Sequence, residues 1–243
     1  MNNAQRVLAA VYVPLTIFIV IADNCFTGYN LVQYVKYVTI VTLYLAARWV
    51  NKIGTEQYLM SLALLCVTVA DLFLVFLPAI TGFDYTVIGT AGFAAAYLCL
   101  IAANCKNCRI GAGEVISAVL VGGITLAVLA SLPLLEMPAW KTAGVVCFAA
   151  ILACMTWTSI CTIFRKYYCI KVACLLAISG MLMFISDLAV AYVHFNLQYT
   201  AMYQPWMQNV VWAAYIPAWT LVAVVVCEEN PYRKPCLQVP QEI

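Results

Sequence analysis

Two aspartates stand inside stretches that otherwise hold almost nothing but apolar residues. Asp71 lies in the run 58–80 and Asp187 in the run 171–195. An ionisable group in such a run is costly unless it is paired or hydrated, so its retention marks a functional position. Measured from the middle of its run, Asp71 lies about two residues and Asp187 about three residues toward the same side. At ~1.5 Å per residue the two carboxyl groups share nearly one depth. Two carboxyl groups in a poorly hydrated cavity do not readily ionise together: repulsion keeps a proton on one, while a nearby cation favours the charged form of the other. The result is one proton donor and one negative stabiliser. Acid-catalysed ether or acetal hydrolysis through an oxocarbenium-like transition state needs that layout. Proton-coupled transport needs it equally, and a pair that only locks helices together is the bland alternative. Lys36 in the run 31–50, Asp23 and Asn24 at the end of the run 7–23, and His194 two turns beyond Asp187 fall in the same half.

The elements that must position these groups follow from composition. Of 243 residues, 66% are hydrophobic and only 9% are charged. A soluble domain carries roughly a quarter charged residues, so most of this chain is solvated by something apolar. In hydrocarbon every backbone N–H and C=O must be satisfied internally, which leaves helices or closed barrels. The apolar stretches are continuous and about 20 residues long, without the alternation of a barrel strand. The chain therefore reads as an all-α integral membrane protein, one transmembrane domain over 1–243 with a short cytoplasmic tail at 228–243. Its eight spans lie at about 7–23, 31–50, 58–80, 87–104, 113–133, 139–164, 171–195 and 205–227. No signal-peptide cleavage pattern follows the first stretch, which reads as a span. Joints fall at Leu77-Pro78, Thr81-Gly82, Leu132-Pro133 and Gln204-Pro205.

Lys and Arg set the orientation. Arg6, Arg48, Lys52, Lys106, Arg109, Arg165, Lys166, Lys171, Arg233 and Lys234 fall on one side, ten of the twelve basic residues, leaving only Lys36 and Lys141 for the other. This bias places both termini in the cytoplasm. Trp140, Trp206, Tyr29 and Tyr203 fit an aromatic belt at the outer ends. A short internal match accompanies this map. Ala70-Asp71-Leu72 pairs with Ser186-Asp187-Leu188, and Ala95-Ala96-Tyr97 with Ala213-Ala214-Tyr215, at Asp-to-Tyr separations of 26 and 28 residues. Each match lies four spans from its mate, as in a parallel four-plus-four repeat; chance similarity of apolar sequence is the alternative.

The segments Lys36-Tyr37-Val38, Ala70-Asp71-Leu72-Phe73-Leu74, Gly180 through Leu188 with its Phe184-Ile185-Ser186-Asp187, and Tyr215-Ile216-Pro217-Ala218 together resemble the YhhN family of membrane proteins, the lysoplasmalogenases. The resemblance covers nearly the whole chain. It implies hydrolysis of the vinyl ether bond of a lysoplasmalogen to a fatty aldehyde and a glycerophospho-headgroup compound. In that chemistry one of Asp71 and Asp187 protonates the β-carbon, and the other, held ionised near Lys36, stabilises the cation and orients water. Lys36, Tyr97, Tyr215, Asn24 and Ser186 are the candidate substrate-binding residues, with Lys36 a suitable point charge for the substrate phosphate. The chain departs from the family pattern at Ala70, where the family usually has Gly, at Tyr97 in place of a His, and at Trp219 in place of a Gln.

Other signals carry less. Cys105-Lys106-Asn107-Cys108 has the spacing of half a zinc site, but a structural zinc needs four ligands. Membrane helices also use Cys as a small apolar residue, and S-palmitoylation is a further reading of the twelve cysteines. One histidine, His194, is too few for a multi-histidine metallohydrolase. No cofactor and no metal are expected. The expected partners are a lysophospholipid arriving from the bilayer and the membrane lipids, with no nucleic acid. Gly89-x-x-Gly92 and Gly122-Gly123 read as close helix contacts, Glu114 as an acidic residue favoured at a helix start, and the inner halves of the spans as nearly free of ionisable groups.

Overall fold

The computed structural model describes residues 2–26, 30–108, 110–195 and 206–232. Tyr29, Arg109, Tyr203, the Gln204-Pro205 joint, Arg233 and Lys234 lie outside the described residues. Eight long helical segments fill nearly all of the described chain: α1 (Asn3–Cys25), α2 (Asn30–Trp49), α3 (Thr55–Asp71) continued by a π turn (Leu72–Phe76) and α4 (Leu77–Thr81), α5 (Thr86–Asn104), α6 (Ala112–Ser131), α7 (Ala139–Arg165), α8 (Ile170–Phe195) and α9 (Trp206–Val226). Among the described residues there is no strand, only an isolated antiparallel bridge between Tyr168 and Tyr232. Seven segments are long and apolar enough to cross a membrane, with α3, the π turn and α4 counted as one. The remaining one, α2, has 20 residues but includes Asn30, Gln33, Lys36 and Arg48. The protein is a helical membrane bundle.

Local chemistry explains the ends and irregularities of these helices. α1 begins with a capping box: Asn2 Oδ1 accepts from the Gln5 N–H at 2.9 Å, and Gln5 Oε1 accepts from the Asn2 N–H at 3.1 Å. Its buried stripe Gln5, Leu8, Tyr12, Thr16, Ile19 and Ala22 recurs every three or four residues. The exposed Val7, Val11, Ile17 and Ile21 face the surroundings, as lipid-contacting residues do. Buried threonines return their hydroxyls to the carbonyl four residues back, as Thr16 to Tyr12, Thr68 to Leu64, Thr125 to Val121 and Thr220 to Ile216. In an apolar surrounding this satisfies the hydroxyl within its own helix.

The π turn begins immediately after Asp71. Pro78 has no N–H for the carbonyl of Leu74, and its ring crowds that turn. The chain instead widens, with the Leu77 N–H bonded to the Leu72 carbonyl, and one long segment continues past the proline. Such bulges re-aim neighbouring side chains and recur at functional positions.

α9 is the central helix: it packs against α8, α1, α2 and α3 and is buried along most of its length. α5 packs on α3 and α7, while α6 rests on α7 through Glu114, Ser117, Val121 and Thr125. Gly89 and Gly92 belong to the α3–α5 contact, where an added Cβ at Gly92 would lie 2.9 Å from the Ala70 Cβ and one at Gly89 would meet Leu74. Gly122 and Gly123 do not make such a contact: a Cβ there meets nothing within 4 Å. These two glycines lie on a part of α6 that no other helix covers among the described residues.

The helix ends carrying Arg6, Arg48, Lys52, Lys106 and Arg165 come together at one end of the bundle, and this end is not free of ionisable groups. Arg165 Nε donates to Glu114 Oε1 at 2.8 Å, with both side chains buried, and its Nη1 donates to the Asn104 carbonyl at 3.0 Å. Trp157 Nε1 donates to the Glu114 backbone carbonyl at 2.9 Å. Glu56, also buried, accepts from Tyr232 at 2.7 Å, Lys106 at 3.1 Å and Tyr167 at 3.2 Å. Residues 227–232 fold back over this end: the Asn2 side chain donates to the Cys227 carbonyl, Gln57 to the carbonyls of Val226 and Glu228, and the Cys169 N–H to the Pro231 carbonyl. The partners are distant in sequence, so the pairs are invisible to a local reading.

Candidate functional site

The two aspartates meet in the opposite half of the bundle. Asp71, the last residue of α3, is 3% exposed, and Asp187 in α8 is half-buried. Each is held by a tyrosine from the other half of the chain. Tyr215 on α9 donates its phenolic proton to Asp71 Oδ2 at 2.6 Å. Tyr97 on α5 donates to Asp187 Oδ2 at 2.6 Å. Both phenols sit in buried positions, and all four groups are close enough to influence one another's charge. Each phenol occupies Oδ2, and among the described residues Oδ1 of each aspartate has no hydrogen bond.

Aromatic rings surround these two dyads. Phe93 lies between the tyrosines, with ring centroids 6.1 Å from Tyr97 and 5.9 Å from Tyr215. Trp219 stacks on Tyr97 at 6.4 Å with the planes 4° apart, and meets Tyr215 edge-on at 6.4 Å. Trp212 meets Tyr215 edge-on at 5.5 Å. Trp212, Tyr215 and Trp219 are spaced i, i+3, i+7, so one face of α9 presents all three. On the α2 side, Tyr37 lies in the neighbourhood of Asp71, with its ring 4.9 Å from Phe76 in the π turn. Apolar walls of this kind limit the access of water to the carboxyl groups they surround.

The other candidates are placed differently. Lys36 is fully buried, but its Nζ bonds Asp23 Oδ1 at 2.8 Å and lies 4.3 Å from the centroid of the Trp212 ring. Its counter-charge is Asp23, and the Trp212 ring it lies over also meets Tyr215. A buried ammonium needs a carboxylate and a π face to offset its lost hydration, and α1 supplies the carboxylate closest to it. Asn24 is exposed and exchanges hydrogen bonds with Asn209, joining the end of α1 to α9. Ser186 donates to the Val211 carbonyl at 3.2 Å, joining α8 to α9 beside Asp187. His194 is exposed in the last turn of α8. The structure thus gathers Asp71, Asp187, Tyr97 and Tyr215 and uses Lys36, Asn24 and Ser186 in helix-to-helix ties.

Sequence reasoning missed the aromatic shell of Phe93, Trp212 and Trp219. The signal available was the spacing of Trp212, Tyr215 and Trp219 on one helical face. Trp219 entered only as a departure from a family pattern, whereas Tyr97 was also a candidate substrate-binding residue and part of the Ala-Ala-Tyr match; in the folded chain these two departures stack on each other.

Two of the three comparisons with known proteins return nothing: neither a curated protein nor a solved structure matches the chain. The model of the YhhN family matches residues 31–226, a stretch that holds both aspartates and both tyrosines and leaves out α1 with Asp23. Since that match covers most of the 243 residues, the chain belongs to the YhhN family.

Proposed function

We propose that this protein is a membrane lipid hydrolase of the lysoplasmalogenase type, cleaving the vinyl ether bond of a single-chain ether phospholipid. The observation that carries the reading is the pair of Asp–Tyr dyads, each joining the two halves of the chain, inside an apolar bundle. Membership of the YhhN family supports it.

The chemistry follows from the dyads. Oδ1 of one aspartate, in its protonated form, gives its proton to the β-carbon of the vinyl ether. The electron pair of the C=C bond forms the new C–H bond, and the ether oxygen shares its lone pair to give an oxocarbenium ion. The second carboxylate offsets that positive charge and takes a proton from the attacking water. The hemiacetal then collapses to a fatty aldehyde and the glycerophospho alcohol, consuming one water. Tyr97 and Tyr215 act as positioning residues, since each fixes one carboxyl oxygen and so directs the other. The ring shell keeps water scarce enough that the aspartates, and not bulk solvent, govern proton transfer.

In the membrane we place eight spans, with α2 crossing beside its more apolar neighbours and both termini on the cytoplasmic side. The gathering of basic residues at one end supports that orientation. A parallel four-plus-four arrangement is supported by the cross-pairing of the dyads, in which each Asp takes the Tyr of the other half. Helix neighbours recur with the same offset: α3 with α5 and α8 with α9, α2 with α3 and α7 with α8, α9 with α2 and α5 with α7. The substrate enters sideways from the bilayer. Proton-coupled transport fits less well, because Lys36 is committed to Asp23 and the basic end is closed by Glu114–Arg165 and the Glu56 cluster.

The test is release of fatty aldehyde from lysoplasmenyl-ethanolamine by purified protein in detergent, with an acyl lysophospholipid as control. Aldehyde from the vinyl ether alone is the expected result. A folded protein that releases none ends this reading.

A further inference from the structure

Three buried side-chain polar atoms among the described residues have no hydrogen-bond partner: Asn104 Oδ1, Trp212 Nε1 and Trp219 Nε1. Two of the three are indoles on the α9 face that carries Tyr215. Asn104 belongs to the basic end, where its side-chain amide donates to Ser159 Oγ. Trp219 is fully buried, and its ring lies against both tyrosines that hold the aspartates. Buried N–H groups without an acceptor are rare, because such a group loses its water and gains nothing. An indole N–H is a donor only, so nothing but an acceptor atom can satisfy it. A phenylalanine at 219 would keep an aromatic ring there without that cost.

Building on the proposed hydrolase reading, we propose that Trp219 Nε1–H donates a hydrogen bond to the free glycerol hydroxyl of the bound single-chain lipid, next to the ether under attack. Trp212 Nε1–H, two turns away on the same helix face, is likewise buried without a partner among the described residues. The chemistry selects the hydroxyl over the ether oxygen. An ether oxygen that becomes an oxocarbenium loses its electron density, so a donor on it would favour the ground state and oppose the reaction. A hydroxyl beside it keeps its acceptor strength throughout and fixes the lipid without that penalty. A free hydroxyl is also what separates a single-chain lipid from a two-chain one, which makes Trp219 a specificity-determining residue for the lyso form.

The test uses full-length protein in detergent and two non-hydrolysable saturated alkyl-ether lysophospholipids, one with the glycerol hydroxyl and one with hydrogen in its place. Wild-type protein is expected to bind the hydroxyl lipid about tenfold more tightly. Trp219→Phe is expected to bind both alike, and Trp219→His, which keeps a ring N–H, to recover part of the preference. In wild-type protein labelled with ¹⁵N-tryptophan, one indole resonance of the six tryptophans is expected to move downfield with the hydroxyl lipid only. The spectrum needs no variant and so holds even if Trp219→Phe does not fold. Equal affinities for the two lipids in wild type, a preference that persists in Trp219→Phe, or identical indole spectra with both lipids overturns the proposal. If the hydroxyl preference is found but no aldehyde is released, the hydrolase reading falls and the donor assignment stands. If aldehyde is released and Trp219→Phe keeps the preference, the reverse holds.

Discussion

Tyr215 and Asp71 are 144 residues apart in the chain and share a 2.6 Å hydrogen bond. The bond has a counterpart in Tyr97 and Asp187, also at 2.6 Å. Two helices from each half of the chain therefore contribute to one polar cluster, and neither half builds a complete dyad without the other.

If the phenols position the carboxyl groups, Tyr97→Phe and Tyr215→Phe should each slow aldehyde release by about tenfold while leaving the fold intact, because each loses one hydrogen bond and no ring volume. Single-turnover rates with the two variants check this. Rates equal to wild type in both would mean that the phenols have no part in aiming the acids.

The Lys36–Asp23 pair is read as structural. Lys36→Met alone leaves the Asp23 carboxylate without its partner and should cost about 3–5 kcal/mol of stability. The double variant Lys36→Met with Asp23→Leu should regain most of the thermal stability in detergent and should still release aldehyde. A double variant that folds but is inactive would restore Lys36 to the site as a phosphate anchor or proton carrier.

How much of this could be read from sequence depended on whether neighbours along the chain or across it set the outcome. Helices were legible because uninterrupted apolar runs of membrane length admit little else. Asp71 and Asp187 were legible because a carboxyl group in such a run needs a reason, and their matched Asp-to-Tyr spacing hinted at the tyrosines. The partner of Lys36 was not legible: depth along α2 is compatible with several carboxylates, and only the packing of α1 selects Asp23. The same limit hid Glu114–Arg165, whose members are 51 residues apart. It also made Gly122-Gly123 look like Gly89-x-x-Gly92, since composition does not say which face of a helix meets another. The π turn had a local cause in Pro78, but a proline in a run signals an irregularity without specifying its kind.

The α3–α5 crossing beside Asp71 gives a compensation test. A Cβ at residue 92 would lie 2.9 Å from the Ala70 Cβ and 3.2 Å from its Cα, a backbone atom that does not swing aside. Gly92→Ala should therefore cost about 1–3 kcal/mol through overpacking and reduce aldehyde release. Ala70→Gly, which puts at residue 70 the amino acid the family usually has, should restore much of both in the double variant. Thermal unfolding and turnover of the three variants check this; a double variant no better than Gly92→Ala would contradict it.

The segment after α9 supplies a pH prediction outside the spans. Burial pushes the Glu228 carboxyl up, but hydrogen bonds from Lys171 and Gln5 outweigh it and hold the group below the ordinary glutamate value. A depressed folded-state value means that stability is present above the unfolded value and is lost as pH falls through the folded one. Glu228→Gln should thus melt about 2 °C below wild type at neutral pH, a small effect because Lys171 is half exposed. The gap should close as pH falls below the ordinary glutamate range. A gap that persists or widens in acid would contradict this clasp.

Aldehyde release carried out in D2O, with the product analysed by mass spectrometry for wild type, Asp71→Asn and Asp187→Asn, tests whether one aspartate protonates the vinyl ether carbon while the other supports the reaction. Wild-type protein should yield aldehyde with one solvent deuterium on the carbon next to the carbonyl, and each folded asparagine variant should yield almost none. Aldehyde without that deuterium, or an asparagine variant working at the wild-type rate, would contradict it.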